Sequence, residues 1–436
     1  MKLFLQNKLI KNIVIVMGGA AGAQVIAFLA LPIITRIYTP TAIGVLGSFL
    51  AILAVLVPIA TLSYPLAIVL PKNNSEALKL AHLSILTTFT FSVIVFIVLV
   101  LGYESFSVYL GFQPDDASFL TATLPFALLF TTLLTVLTQW LIRHKLFTLI
   151  AKATIAQSIT INSLKILVGL LLPLGKTLIF ITVVGTFLHS LIVIFLLKQK
   201  KDKKLWLPIT ANYNKDTAKS YKDFPKYRTP HNILANLTQS LPILLLVLLF
   251  GPIYAGLYTL CRSTLLVPVT LVGKSVNDVL FPQLNEAYTN NKPVTPLLFK
   301  ATKGLLLLAL PPLIFFIAVG PQAFTFVFGD MWQDAGIISQ WVAVRYYFVF
   351  INRACVSLLP VLKLEKFLLF NGILNFLLSV LGFYLGYYLF NDPIYAIALY
   401  SILGVIPQLL IIVYVITKAK GHDIQLKKNI VIKEEY

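Results

Sequence analysis

Basic side chains interrupt several of the most apolar stretches of this sequence. Arg262 lies in "LYTLCRSTLLVPV", Arg345 and Arg353 lie in "WVAVRYYFVFINRACV", and Lys165 lies in "INSLKILVG". A charge at the centre of a bilayer costs about 2.5–3.5 kcal/mol on insertion scales, so such bases require water, partners or a ligand. Guanidinium groups match phosphate and carboxylate oxygens in pairs, and the pattern therefore predicts an anion-binding cavity.

Carboxylates that could neutralise these bases are scarce. Asp278 is the only acidic residue inside a predicted apolar segment, and it lies one helical turn from Lys274. About 30 Å of helix separates the pair from the start of its segment, which predicts a position at the membrane boundary. We interpret the two as an interfacial pair, with a coupling site for a proton or sodium ion as the alternative role.

Polar amides recur at helical spacing in three further segments. Steps of three and four residues place each set on one helix face. Two interpretations stay open, namely hydrogen bonding between helices and the lining of a polar cavity. The sets comprise Asn162 beside Lys165, then Asn232, Asn236 and Gln239, and finally Asn371 and Asn375.

The whole chain has the composition of a polytopic membrane protein. Of its 436 residues, 58% are hydrophobic and 12% are charged, and the mean hydropathy is +0.89. Soluble domains usually carry about 25% charged residues, so a soluble globular protein is excluded. The basic start followed by an apolar run to about residue 35 predicts a retained first helix rather than a signal peptide.

Apolar stretches of about 20 residues, the length that crosses a bilayer as a helix, predict an all-α membrane protein with twelve transmembrane helices. They are expected near 12–35, 42–70, 80–101, 119–141, 153–172, 177–197, 231–250, 254–281, 304–320, 335–361, 367–390 and 393–417.

The net charge of +19 is distributed unevenly along the chain. Only Arg36 and Lys176 fall in the loops on one side of the predicted spans, while the other loops hold most of the 35 Lys and Arg residues. The positive-inside rule places both termini in the cytoplasm. This charge pattern favours contact with membrane lipids over nucleic acid.

The two cysteines, Cys261 and Cys355, show no metal-ligand spacing. We therefore expect neither a metal nor a cofactor.

A basic cytoplasmic connection divides the predicted spans into six and six. We expect an N-terminal bundle over 1–200, a linker over 201–230, a C-terminal bundle over 231–418 and a basic tail over 419–436. An internal repeat supports the division, because "YTPTAIGVLG" and "FGPIYAGLYT" share Pro-x-x-x-Gly after each half's first helix. Parallel repeats of this kind place a substrate path between the halves. The alignment pairs Pro40 with Pro252, Gly44 with Gly256, and Arg143 with Lys363.

Several blocks, in order along the chain, carry a family resemblance. They are "LPIITRIYTPTAIGVLGSF", "YPLAIVLPKNNSEA", "RHKLFTLIAKATIAQS" and "FGPIYAGLYTLCRSTLLVPVTLVGKSVNDVLFPQL". Together they resemble the bacterial polysaccharide repeat-unit flippases, the Wzx-type members of the multidrug/oligosaccharidyl-lipid/polysaccharide exporter superfamily. Thr41 and Ser63 stand where that family commonly carries charged residues, so no role of those charges is transferred.

The resemblance implies two pseudo-symmetric six-helix bundles in a V around a central cavity. It also implies the movement of undecaprenyl-diphosphate-linked oligosaccharides across the bacterial cytoplasmic membrane by alternating access, for O-antigen, capsule or exopolysaccharide synthesis. A polysaccharide polymerase and a chain-length regulator are the protein partners that it implies. On this view the protein is not an enzyme. From the positions of the bases we expect Arg262, Arg345, Arg353 and Lys165 to attract the diphosphate or acidic sugars of the substrate.

Two alternatives remain at this point. A multidrug or cation antiporter of the same superfamily shares the fold, although it would favour buried carboxylates over buried bases. A membrane polysaccharide polymerase or ligase would handle the same lipid carrier but would need a large outer loop.

Overall fold

The computed structural model describes residues 8–102, 114–199 and 215–434, and within them the regular structure is helical. The chain divides into two compact units, Met1–Gly256 and Leu257–Tyr436. The sequence instead predicts a division at the basic linker over 201–230, and these boundaries stay a prediction.

The first unit contains eight of the helices in the described residues. They are α1 (Lys8–Ile37), α2 (Pro40–Thr61), α3 (Asn74–Leu101), α4 (Pro114–Arg143), α5 (Phe147–Gly169), α6 (Gly175–Lys198), α7 (Lys215–Ser220) and α8 (Thr229–Phe250). Helix α1 packs along α5, α2 packs along α8, and α6 contacts α5, α4 and α2. A short 3-10 turn (Tyr64–Ala67) follows α2, and a π-turn (Phe224–Arg228) precedes α8.

Helix α9 (Pro252–Thr289) begins in the first unit and continues into the second. The second unit then contains α10 (Thr295–Phe328), α11 (Gln333–Ile351), α12 (Arg353–Leu358), α13 (Glu365–Phe390), α14 (Pro393–Leu403) and α15 (Val405–Glu434). Helix α10 packs along α11, α13 packs along α14, and α14 also contacts α11. A hydrophobic core joins α9, α10, α11, α12 and α15 and includes Val269, Leu298 and Leu358.

Local sequence explains where several helices begin. Thr39 precedes Pro40 and accepts a hydrogen bond from the Ala42 amide at 3.3 Å, which satisfies a free N–H group at the start of α2. Asp392 caps α14 in the same way, accepting from the Ile394 amide at 2.7 Å.

A carboxylate from a distant helix completes the start of α10. Asp423 in α15 accepts hydrogen bonds from the backbone amides of Val294 and Thr295, both at 2.9 Å. The first N–H groups of a helix have no partner within the helix and carry partial positive charge, so a carboxylate stabilises them. Asp423 therefore fastens α15 to the first turn of α10.

The chain is a multi-pass membrane protein. Within the described residues, ten helices are long and apolar enough to cross a bilayer. The two further spans predicted from the sequence are helical as well, over Phe147–Gly169 (α5) and Gln333–Ile351 (α11). These two helices contain Lys165 and Arg345, the kind of side chains that lower the hydropathy of a span.

Three predicted spans differ from the observed helices. The span predicted over 42–70 ends at Thr61, because Leu62 and Ser63 adopt left-handed conformations that stop the helix. The span over 335–361 breaks at Asn352, whose side chain donates to Gln408 Oε1. The span over 393–417 breaks at Gly404, which separates α14 from α15.

The two copies of the Pro-x-x-x-Gly repeat contact each other within the first unit. A Cβ atom on Gly44 would overlap the carbonyl oxygen of Pro252, and a Cβ atom on Gly256 would overlap that of Pro40. The contact is reciprocal, because each glycine faces the proline that begins the other copy. Glycine is required at both positions for the backbones of α2 and α9 to approach this closely.

The second repeated turn has a different alignment from the one predicted. Lys145 and Lys363 both adopt left-handed conformations, with φ of 56° and 54°. In both turns the next residue donates its amide to the carbonyl five residues earlier, from Leu146 to Leu141 and from Leu364 to Leu359. Lys145, not Arg143, is therefore the structural counterpart of Lys363.

Candidate functional site

Arg345 on α11 is held by the second unit's own polar groups. It is 8% exposed, and its guanidinium donates to the Tyr400 carbonyl and to Asn375 Oδ1, both at 3.0 Å. The same guanidinium lies 4.1 Å from the centroid of the Tyr400 ring, a cation–π contact. A Cβ atom on Gly404 would overlap this guanidinium, so the break between α14 and α15 makes room for it.

Arg262 on α9 has weaker partners and remains partly exposed. Its guanidinium hydrogen-bonds to the Tyr346 hydroxyl and lies within electrostatic range of Tyr258 and Tyr400. The Tyr258 and Tyr400 hydroxyls are 3.4 Å apart and their rings meet edge to face. Neutral phenols do not cancel the charge of Arg262.

Arg353 lies at the start of α12 and packs against α9. A Cβ atom on Gly273 would come within 3.1 Å of Arg353 Cδ and Nε, so the absence of a side chain there admits the arginine. The Nε atom is buried and has no hydrogen-bond partner within the protein. An unsatisfied buried donor of a charged group is costly, which marks this atom as a candidate ligand contact.

Tyr346 connects the three arginines. It lies within electrostatic range of Arg262 and Arg345 and of Arg353. We call this group the arginine–tyrosine cluster; its members are Arg262, Arg345, Arg353, Tyr258, Tyr346 and Tyr400. Within the described residues, no carboxylate forms an ion pair with any of its arginines.

Lys165 lies in the first unit, on α5. It is partly exposed, and its backbone carbonyl accepts a hydrogen bond from the Tyr38 hydroxyl at 2.9 Å. Asn162, one turn earlier, donates to the Ser158 carbonyl at 2.7 Å, and the Ser158 hydroxyl donates to the Ala23 carbonyl at 2.7 Å. These contacts do not involve the Lys165 ammonium group, and its contact with an anion stays a prediction.

The amides of α8 attach this helix to α2 and the segment that follows it. Asn232 Nδ2 donates to Ser63 Oγ at 3.1 Å, and Asn236 Nδ2 donates to the Ala54 carbonyl at 2.7 Å. Gln239 is exposed. The donors of the two asparagines therefore serve helix packing, one of the two interpretations that the sequence left open.

The amides of α13 divide between two situations. Asn375 accepts from Arg345 and so belongs to the surroundings of the cluster. Asn371 is 4% exposed, and its Oδ1 atom has no hydrogen-bond partner within the protein. Its carbonyl is a free acceptor that a ligand hydroxyl or a water molecule would satisfy.

The remaining predicted pair lies further along α9. Lys274 is exposed, and its position at a membrane boundary stays a prediction. The side chain of Asp278 lies outside the described residues, so its pairing with Lys274 and its coupling role stay predictions.

Sequence reasoning did not find the three tyrosines of the cluster. Tyrosine is common in membrane proteins and enriched near bilayer interfaces, so Tyr258, Tyr346 and Tyr400 carried no signal in isolation. One local signal existed, because Tyr258 lies four residues before Arg262 and thus on the same helix face, while Tyr346 directly follows Arg345.

Comparison with known proteins places the chain in a family. Residues 33–336, well over half of the chain, match the family described as "Polysaccharide biosynthesis protein". The chain belongs to this family. No curated protein matches the chain with significant sequence similarity.

Solved structures show the fold of this chain. An inward-facing multidrug resistance MATE family transporter of the MOP superfamily aligns with a TM-score of 0.70 and 14% identity, over 93% of this chain and 96% of the transporter. The lipid II flippase MurJ in an inward closed conformation aligns with a TM-score of 0.69 and 14% identity, over 94% and 90% of the two chains. The expected all-α fold of this superfamily is confirmed.

A third similar structure is notable for the charge of its pocket. It is a MOP superfamily transporter from Pyrococcus furiosus, described as having a binding pocket of reverse polarity that suggests a different function. It aligns with a TM-score of 0.60 and 14% identity, over 96% of both chains. At this identity the likeness concerns the fold alone.

Proposed function

We propose that this protein is a flippase that moves undecaprenyl-diphosphate-linked oligosaccharide repeat units from the cytoplasmic to the outer leaflet of a bacterial cytoplasmic membrane. The arginine–tyrosine cluster carries the proposal, because three arginines of the second unit share Tyr346 as a neighbour and lack carboxylate partners among the described residues. The family membership supplies the polysaccharide context.

The chemistry of the cluster suits a diphosphate that binds and then leaves. Arg262 is bonded to a neutral hydroxyl, and charge-assisted hydrogen bonds to phosphate oxygens are roughly twice as strong as neutral ones. A diphosphate therefore displaces the Tyr346 hydroxyl from Arg262 with a net gain. After the diphosphate leaves, Arg262 hydrogen-bonds to Tyr346 again, so the empty cluster has no unsatisfied donor at Arg262.

The other members of the cluster have separate tasks in this mechanism. Arg345 contributes positive potential while its own donors stay bonded to Tyr400 and Asn375. The unpaired Nε of Arg353 provides a second donor for phosphate oxygens. Alternating access would then carry the bound head group across the membrane.

A transport assay tests the proposal directly. Purified protein in proteoliposomes should move a fluorescent undecaprenyl-diphosphate-linked oligosaccharide between leaflets, detected as protection from or exposure to a membrane-impermeant quencher. Arg262→Gln should slow this movement at least about tenfold, equivalent to ~1.4 kcal/mol of lost binding. The matched control is Lys303→Gln, which removes the same charge from an exposed position on α10 and should transport normally.

A cation or drug antiporter is the second candidate, favoured by the similarity to the MATE transporter. It requires acidic groups at its binding site. Uptake of a lipophilic cation by the same proteoliposomes, without movement of the lipid-linked oligosaccharide, would replace the flippase proposal with this one. Polymerisation or ligation of glycan by the purified protein would instead identify an enzyme.

A further inference from the structure

An apolar groove lies within the second unit, between α9, α10 and α11. Its volume is about 260 Å³, and every residue that lines it is apolar or aromatic. Helix α9 contributes the face from Leu265 to Val272, while Leu308 and Pro312 come from α10. Helix α11 contributes Tyr346, the member of the arginine–tyrosine cluster that hydrogen-bonds to Arg262.

Prolines on two helices shape this groove. Pro268 lies inside α9 and Pro312 lies inside α10, and both line the groove. Proline cannot donate to the carbonyl four residues earlier and its ring pushes that carbonyl away, so each proline bends or loosens its helix. Pro268, Leu308 and Pro312 are exposed, and they form the mouth of the groove.

Guanidinium groups flank the groove along α9. Arg262 precedes Leu265 by about one helical turn, while Arg353 packs at Gly273, the neighbour of Val272. The apolar face from Leu265 to Val272 is roughly 10 Å long at 1.5 Å per residue. A hydrocarbon chain in the groove would therefore have a cation close to either end.

An apolar groove that leads from a cationic cluster suits an amphiphile with an anionic head. The volume is slightly below the roughly 300–1,000 Å³ that is usual for ligand pockets, so it holds a short length of hydrocarbon rather than a whole lipid. Walls of branched and aromatic side chains, together with Pro268 and Pro312, favour a methyl-branched chain over a straight acyl chain.

We propose that this groove binds the isoprenoid segment next to the diphosphate of the lipid carrier, with the diphosphate held at Arg262. The inference rests on the proposed function and adds to it a separate site for the hydrocarbon part of the substrate. Apolar burial in the groove then contributes to recognition of the carrier independently of the oligosaccharide.

Photo-crosslinking of the full chain in nanodiscs tests the site. The probe is farnesyl diphosphate with a diazirine on its isoprenoid chain, and the expected labels fall on peptides that contain 265–272, 308–316 or 343–350. Leu308→Trp fills the mouth and should reduce labelling about tenfold, whereas Leu307→Trp should label like the wild type. Leu307 is the matched control, since it is 56% exposed, against 57% for Leu308, and does not line the groove.

Two results would overturn the groove as an isoprenoid site. One is undiminished labelling of Leu308→Trp, and the other is competition by dioleoylphosphatidylglycerol as effective as that by unlabelled undecaprenyl diphosphate, which would make it a bilayer-lipid site. The proposed function fails separately: groove labelling in protein that moves no lipid-linked oligosaccharide would support the isoprenoid site and contradict the flippase.

Discussion

Arg345 and Arg262 carry the same charge but lie in different surroundings. Arg345 is almost fully buried and bonded to two acceptors and an aromatic face, whereas Arg262 is partly exposed and bonded to a phenol. Both were predicted to contact the substrate. Under the proposed function, we expect Arg262 to contact the substrate directly and Arg345 to position Tyr400 and Asn375.

Replacing Arg345 should therefore affect stability as well as transport. Arg345→Gln removes two charge-assisted hydrogen bonds, each worth about 1.5–3 kcal/mol, and takes the guanidinium donor away from Asn375 Oδ1 and the Tyr400 carbonyl. We expect a clearly lowered unfolding temperature of the purified protein, while Arg262→Gln unfolds close to the wild type. A wild-type unfolding temperature for Arg345→Gln, combined with lost transport, would instead make Arg345 a direct ligand.

At the residue scale the sequence revealed charges but not their partners. A base inside an apolar run stands out because it is costly there, so the arginines of the cluster could be found. One acceptor for Arg345 is the backbone carbonyl of Tyr400. Every residue has a backbone carbonyl, so the residue type does not show which carbonyl accepts the hydrogen bond. The amides show the same limit, since only the structure shows that Asn236 reaches the Ala54 carbonyl.

At the scale of helices, the contact between α2 and α9 depends on two glycines. Gly44→Ala places a methyl group on the carbonyl of Pro252 and should force the helices apart. Overpacking of this kind typically costs about 1–3 kcal/mol, measurable as a lower unfolding temperature. Gly18→Ala on α1 is the control, because a Cβ atom there meets nothing within 4 Å and alanine favours the helix. Equal unfolding temperatures for the two variants would contradict the close approach.

The attachment of α15 to α10 is also open to test. Asp423→Asn keeps the shape of the side chain but removes its charge and one of its acceptor oxygens, so either Val294 N–H or Thr295 N–H loses its partner. Caps of this kind contribute about 0.5–2 kcal/mol. Thermal unfolding of Asp423→Asn should begin at a lower temperature than that of Lys420→Gln, an exposed charge change on the same helix. The reverse order would rule out the cap.

Helix positions were more predictable than helix ends. Apolar length placed a helix in every predicted span, because twenty apolar residues have few alternatives in a bilayer. At the two breaks Asn352 bonds to Gln408 and Gly404 packs against Arg345. Local composition does not encode partners from other helices. For the same reason the second repeated turn was misaligned by two residues, since its left-handed position holds lysine in both copies rather than the usual glycine.

For the whole molecule, the distribution of Lys and Arg predicts which loops face the cytoplasm. Cys261 and Cys355 are both fully buried and so contribute little background in thiol labelling. Lys292→Cys, in a predicted cytoplasmic loop, should react with a membrane-impermeant maleimide only after permeabilisation. Met331→Cys, in a predicted outer loop and originally 51% exposed, should react in intact cells. Labelling of Lys292→Cys in intact cells would invert the orientation.

The fold class and family could be predicted from the sequence, because hydropathy and ordered sequence blocks persist along the whole chain. The cluster in the second unit required coordinates, since its arginines come from α9, α11 and α12 and its tyrosines from α9, α11 and α14. Residues more than a hundred positions apart along the chain meet there, and no periodicity within one helix indicates such a meeting.

The reciprocal contact of Gly44 and Gly256 also limits how the gene can diverge. After a duplication, two copies of a motif are normally free to drift apart, because each evolves under its own constraints. Here neither position can accept a side chain larger than that of glycine. A change at one position cannot be compensated at the other, because no residue is smaller than glycine. Both positions are therefore expected to stay glycine together in descendants that keep this contact.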